Sequence, residues 1–270
     1  MKNLFALILL VFPLFVFSQM DIFTRRHAFS SGQEVYLFGD QVKLRTGAST
    51  SSEVVDLLGI GSAVTILEKT NETLFFNGFE SPWYKVRFGV KEGYVLGALM
   101  ALQKIEYDGE TFLFNQKQLE NSLEIDVRRI DGASYVEYKG VISEDAVYQF
   151  SVTEGRGLSE LEYVVTIDML SESCGVDGGE VLFLIDQKDQ YTDVFLTDIS
   201  DAGIFSFEEQ LIFPNEEGGV EGQVLYRSEK YEALDAEMIW GRTTIIDGVY
   251  EFHDGKLFPE LSKILGANAY

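Results

Sequence analysis

The sequence predicts an all-β protein: a small closed barrel over residues 35–102, followed by a larger antiparallel β domain over residues 103–270, a sandwich or open barrel. Three observations predict it. The chain has four prolines against 25 glycines, and its Val, Ile, Phe and Tyr fall in short runs closed by Gly or polar turns. Inside those runs apolar positions alternate, as in Val64-Thr65-Ile66-Leu67 and Trp83-Tyr84-Lys85-Val86-Arg87, the period of a strand with one buried face. No stretch of helical period separates the early runs, which favours a barrel over a sheet–helix unit.

Residues 1–18 have the parts of a secretory leader: Lys2 as the positive start, an unbroken apolar run from Leu4 to Phe17, and Val16 and Ser18 ahead of a cut before Gln19. A membrane anchor would need about 20 apolar residues; this run is shorter and contains Pro13. The expectation is an exported protein, periplasmic or extracellular, with no membrane span once the leader is removed. Residues 19–34 then form a polar connector holding Arg25, Arg26 and a Ser-Ser-Gly turn.

Five strands are expected next, at Val35–Phe38, Gln41–Arg45, Ser62–Glu68, Trp83–Arg87 and Gly93–Leu96, with Leu44, Val54, Val64, Ile66 and Val86 in the core. Gly47 permits the turn after the first motif strand and Gly61 opens the next. Trp83 and Tyr84 are adjacent, so in a strand one faces inward and the other outward. The insert Asn71–Pro82 is longer and more apolar than a hairpin needs. Its Leu74, Phe75, Phe76 and Phe79 either form an exposed patch or, the favoured reading, dock the barrel onto its neighbour.

These motifs carry a resemblance. Val42-Lys43-Leu44-Arg45-Thr46-Gly47-Ala48-Ser49-Thr50, then Gly61-Ser62-Ala63-Val64-Thr65-Ile66-Leu67, Trp83-Tyr84-Lys85-Val86 and Gly93-Tyr94-Val95 follow in order. The segment resembles the bacterial SH3 (SH3b) family, with Lys43 where Asn is usual, over about a quarter of the chain. The resemblance implies an SH3-like barrel that binds a cell-wall peptide or an envelope protein. It places Trp83, Tyr84 and Tyr94 at ligand-facing positions, where aromatic faces stack on sugars or grip extended peptides. Arg45 joins them as a ligand-binding candidate; its structural reading is a surface cation or a carboxylate's partner.

The remainder, roughly 104–270, resembles no known family and continues as strands, among them Thr111–Phe114, Leu123–Val127, Val147–Val152, Tyr163–Ile167, Glu180–Ile185, Thr192–Leu196 and Gly248–Phe252. Asp-Gly pairs at 108–109, 131–132, 177–178, 247–248 and 254–255 signal tight turns. Helix is expected only at Asn115–Glu120, Lys230–Met238 and Pro259–Leu265, and Trp240 reads as core.

Composition excludes more than it names. With 44 Asp and Glu against 21 Lys and Arg, net charge −23, nucleic acid and anionic lipid are poor partners. One cysteine, Cys174, excludes an internal disulfide framework. SH3b domains often accompany cell-wall hydrolases with a Cys–His pair, which makes Cys174 and His253 the nameable catalytic candidates. Cys174 sits in a glycine-rich loop, without the helix such a nucleophile uses. Asp186, Asp189, Asp193, Asp198 and Asp201 raise calcium as an alternative, but their spacing departs from the calcium-loop pattern. Glu208-Glu209 and Glu216-Glu217 read as solvated turn residues. No phosphate loop, nucleophile elbow or zinc helix appears, so no cofactor or metal is expected. The sequence favours a binding module, with an envelope hydrolase or a purely structural barrel as the alternatives.

Overall fold

The structure, a computed structural model, describes residues 21–132, 134–170, 178–235 and 240–261. The leader assigned to residues 1–18, and Cys174, lie outside the described residues. Among the described residues the chain is strand, turn and loop, with one 3₁₀ turn at Gly97–Leu99 and no α-helix.

The first sheet holds β1 (Glu34–Tyr36), β2 (Val42–Arg45), β3 (Val54–Leu58), β4 (Ala63–Phe76), β5 (Phe79–Phe88) and β6 (Lys91–Leu96), in the antiparallel order β1-β4-β5-β6-β2-β3. Val35 from one end of that order and Leu58 from the other share one apolar cluster with Leu44, Val64, Ile66 and Val86, so the sheet curls around its own core. Val54, expected in that core, is instead 40% exposed at the start of β3. The strand β3 itself escaped the pattern reading because Val54 and Val55 break its alternation: the observed burial has only Leu58 fully inward.

A second sheet has the order β10-β9-β8-β7, from β7 (Gln103–Tyr107), β8 (Glu110–Gln118), β9 (Ser122–Asp131) and β10 (Ser134–Ser143). The third is an eight-stranded meander: β11 (Val147–Glu154), β12 (Leu161–Leu170), β13 (Gly178–Asp186), β14 (Tyr191–Asp201), β15 (Phe205–Ile212), β16 (Val224–Ala233), β17 (Gly241–His253) and β18 (Lys256–Phe258). Sandwich and open barrel are both present. Val165, Ile167, Val181 and Phe183 pack against Phe112, Phe114, Ile125 and Val127 of the second sheet. On the opposite face, Val164, Leu182 and Leu184 share a cluster with Phe252 and Leu257, as the meander curls into a half-barrel. Strands β12 and β13 are therefore buried on both faces, which is why Leu161–Leu170 and Val181–Ile185 read as near-continuous apolar runs and not as alternating ones.

Turn chemistry sets the meander. Asp108-Gly109 has φ values of 49° and 84°, and Asp254-Gly255 of 45° and 70°; two successive left-handed residues make the turn whose twist matches a hairpin. Asp247-Gly248 is not a turn but lies inside β17, where Tyr226 pairs opposite Gly248. A Cβ on Gly248 would meet the Tyr250 ring at 2.8 Å, so this glycine makes room for an aromatic side chain. The helices expected at 115–120 and 230–238 are corrected over their described residues: Asn115–Gln118 completes β8 and Lys230–Ala233 completes β16. Residues 236–238, and 262–265 of the helix expected at Pro259–Leu265, lie outside the described residues. Ladder pairing, with β9 for Asn115–Gln118 and with β15 and β17 for the β16 segment, overrides the helix-favouring Gln, Glu, Lys and Ala of these segments. Trp240 is 71% exposed, not core.

Candidate functional site

Pairing between β5, β6 and β2 decides which predicted ligand residues share a face. Tyr94 stands opposite both Lys85 and Arg45, and directly opposed residues project to the same side of a sheet. Arg45, Tyr94 and Lys85 thus form one row across the outside of the barrel, with Trp83 next along β5 opposite Leu96. The guanidinium of Arg45 donates from Nη1 to the Ser52 carbonyl at 2.7 Å, so its partner is a main-chain oxygen, not a carboxylate. Lys85 Nζ lies 3.0 Å from Glu92, which also meets Arg87 at 3.3 Å; the hydrogen bond and charge of Glu92 raise the Lys85 pKa and the lysine in turn lowers that of Glu92. Gly93 allows β2 to approach: a Cβ there would stand 2.7 Å from the Arg45 carbonyl and 2.8 Å from Leu44.

Trp83 and Tyr84 do face opposite sides, yet both are buried, at 5% and 1% exposure. Tyr84 belongs to the barrel core, and its hydroxyl accepts the Phe29 N–H at 3.2 Å. Of the four predicted ligand residues, Arg45 and Tyr94 are partly open on the outer face, while Trp83 and Tyr84 are closed off.

The Phe-rich insert divides. Its tip bends through Asn77-Gly78, both left-handed, and docks on the end of β8: Gln118 N–H donates to the Asn77 carbonyl at 2.8 Å, and a Cβ on Gly78 would collide with the Gln118 carbonyl at 2.4 Å. Phe79 packs against the core between the second and third sheets. Phe75, by contrast, is 68% exposed.

Between this hairpin, β8 and the connector lies a cleft of about 690 Å³. The connector is anchored at both ends of its crossing. Phe23 makes a two-way main-chain bridge with Tyr148, Gln116 Nε2 donates to the Thr24 carbonyl at 3.2 Å, and Phe29 is held by Tyr84. Between them His27 sits 5.1 Å from the rings of both Phe23 and Phe29. Burial lowers its pKa, partly opposed by Asp21, and its buried Nε2 has no hydrogen-bond partner among the described residues. Arg26, Phe29, Lys69 and Glu120 also line the cleft. Sequence reading passed over it, treating residues 19–34 as a linker; the Phe23–His27–Phe29 spacing was the available signal that this segment is packed.

The remaining candidates acquire other roles. His253 is exposed and lies between Glu160 and Glu251, at 3.2 and 3.3 Å; hydrogen bonds donated by its ring to these carboxylates raise its pKa. Its pairing with Cys174 falls outside the described residues. Among the described residues no group of three or more His, Cys, Asp or Glu side chains is placed to hold a metal ion. Asp186 accepts the N–H groups of Lys188 and Gln190, each at 2.8 Å, and Asp189 pairs with Arg129 and Tyr138. Glu209 is not solvated: it is buried on β15, accepting the Tyr226 hydroxyl at 2.6 Å and the Thr197 N–H at 3.1 Å. Among the described residues no helix is long and apolar enough to cross a membrane.

Comparison with known proteins finds no curated protein and no solved structure that matches the chain. One family does match, over the segment whose strands build the curled first sheet and the Arg45–Tyr94 row: residues 40–101 match the bacterial SH3 domain, a domain that serves as a binding module.

Proposed function

We propose that this chain is an exported binding protein of the cell envelope, whose barrel, residues 35–102, binds peptidoglycan peptide or an envelope protein through its outer face. Residues 1–18 serve as a cleaved leader, 19–34 as connector and 103–270 as a second all-β domain. The observation that carries the reading is the Arg45–Tyr94–Lys85 row on a segment that matches the bacterial SH3 domain. An aromatic ring flanked by a cation presents a flat apolar face and a donor side by side, the combination that grips an extended peptide. The overall charge of −23 sets the wider field against anionic polymers, so contact must be local to this row. Sedimentation of the protein with purified peptidoglycan, at low and moderate salt, tests it.

A further inference from the structure

We propose that the cleft between the connector, the β4–β5 hairpin and β8 is a second binding site, which takes short peptides with free amino and carboxyl ends. It is separate from the outer barrel face. Its volume, about 690 Å³, falls within the few hundred to about 1,000 Å³ of small-molecule sites, which favour junctions between packed units. A tripeptide, at about 3.5 Å per extended residue, fits that scale.

The wall chemistry selects the ligand. In this acidic protein most Lys and Arg side chains among the described residues contact a carboxylate. Arg25, for one, holds Glu144 at 3.1 Å. Arg26 and Lys69, both lining the cleft, have no such partner among the described residues, and together they supply a site for an anionic group. Glu120 on the same cleft is likewise without a partner among the described residues, and supplies a site for an amine. Phe29, Phe79 and Met100 line the cleft between them and give an apolar surface for a side chain. The buried, unpartnered Nε2 of His27 adds a polar atom that the fold does not satisfy; such atoms are rare in native interiors because each costs its desolvation. A ligand with opposite charges at its two ends, an apolar middle and peptide groups to offer His27 answers every one of these features. A fatty acid answers only the cations and the apolar wall.

The test is ligand-detected NMR, saturation transfer from the full chain to a pooled library of free tripeptides. The same library with acetylated amino and amidated carboxyl ends, and octanoate, serve as the other probes. The free pool gives transfer and the blocked pool does not. An Arg26→Ala/Lys69→Ala variant binds the responding peptides at least about tenfold more weakly, the effect of losing charge-assisted contacts worth more than 1.4 kcal/mol. Both positions leave the barrel core untouched, and an unchanged thermal midpoint verifies the variant's fold. No transfer from the free pool, equal transfer from the blocked pool, or binding by octanoate in place of peptides overturns the proposal. Saturation transfer reports peptide bound anywhere on the chain, so the Arg26→Ala/Lys69→Ala variant, which leaves Arg45, Lys85 and Tyr94 of the outer face intact, assigns the signal to the cleft. Unchanged affinity in that variant overturns the cleft site alone.

Discussion

The hydroxyl of Tyr84, in the middle of β5, accepts the main-chain N–H of Phe29, 55 residues earlier in the chain, at 3.2 Å. The two rings also meet edge to face, with centroids 5.6 Å apart. The contact fixes the connector against the barrel, closing one wall of the cleft. Tyr84→Phe keeps the ring packing and strands a buried N–H. The expected cost is about 1–3 kcal/mol, read as a lower urea midpoint at unchanged slope.

The two histidines give pH dependences of opposite sign. Burial lowers the pKa of His27 below 6.5, so the unfolded chain binds the proton more tightly. The contribution is fully present above about pH 6.5 and declines as pH falls through that value toward the folded pKa. The pKa of His253 is raised by Glu160 and Glu251, so its contribution is present below pH 6.5 and is lost as pH rises through the folded pKa. Thermal midpoints between pH 7.5 and 5.5 should fall less steeply for His27→Asn than for the parent, and more steeply for His253→Asn. Parallel curves for all three proteins contradict this assignment.

Arg129 on β9 reaches across to the β13–β14 turn. It pairs with Asp189, while Glu110 holds its other nitrogen at 2.9 Å and the Tyr138 hydroxyl donates to Asp189 at 3.0 Å. Asp189 is itself left-handed, with φ of 61°. Asp189→Ala leaves the mostly buried guanidinium with Glu110 as its carboxylate partner and Nη2 without a carboxylate, and places Ala in that conformation. The partial exposure of Asp189 holds the loss to about 2–3 kcal/mol, below that for a fully buried pair. Chemical denaturation measures it.

Gly78 is the point where the barrel's hairpin touches β8. Gly78→Ala adds a Cβ against the Gln118 carbonyl at a left-handed position, φ 78°. The tip must move, at a cost of about 1–3 kcal/mol. The diagnostic result is local: the Gln118 N–H, now bonded to Asn77, exchanges with solvent faster while the β12 and β13 amides keep their protection.

Much of this architecture was legible in the residues. The Val64–Leu67 and Trp83–Arg87 alternations, the Asp-Gly turns at 108–109 and 254–255, and the ordered motifs of residues 42–95 each mark a local rule that the fold obeys. The misreadings share a cause: each depends on what covers a residue from far away in the chain. Trp83 alternates correctly and is still buried on its outward face. Lys230–Ala233 and Asn115–Gln118 favour helix locally and are held as strand, the first by β15 and β17 and the second by β9. Gly248 resembles a turn signal but yields to the ring of Tyr250. For the site, sequence placed Arg45 and Tyr94 on the barrel, and the register brought them opposite each other. The cleft was invisible because its walls come from residues 26–29, 69–79 and 115–120, far apart in the chain and joined by long-range contacts such as those of Gln118 with Asn77, Phe29 with Tyr84 and Gln116 with Thr24.

The central claim is that the barrel binds through its outer row. The measurement is sedimentation with purified peptidoglycan, comparing the parent with an Arg45→Ala/Tyr94→Ala variant whose circular dichroism and melting match it. Trp83 and Tyr84 are left intact, since their burial would turn substitution into a test of folding. The account predicts that the parent cosediments and that the folded variant remains in solution. Equal cosedimentation of parent and variant contradicts binding through this row, and a parent that stays in solution contradicts cell-wall binding itself.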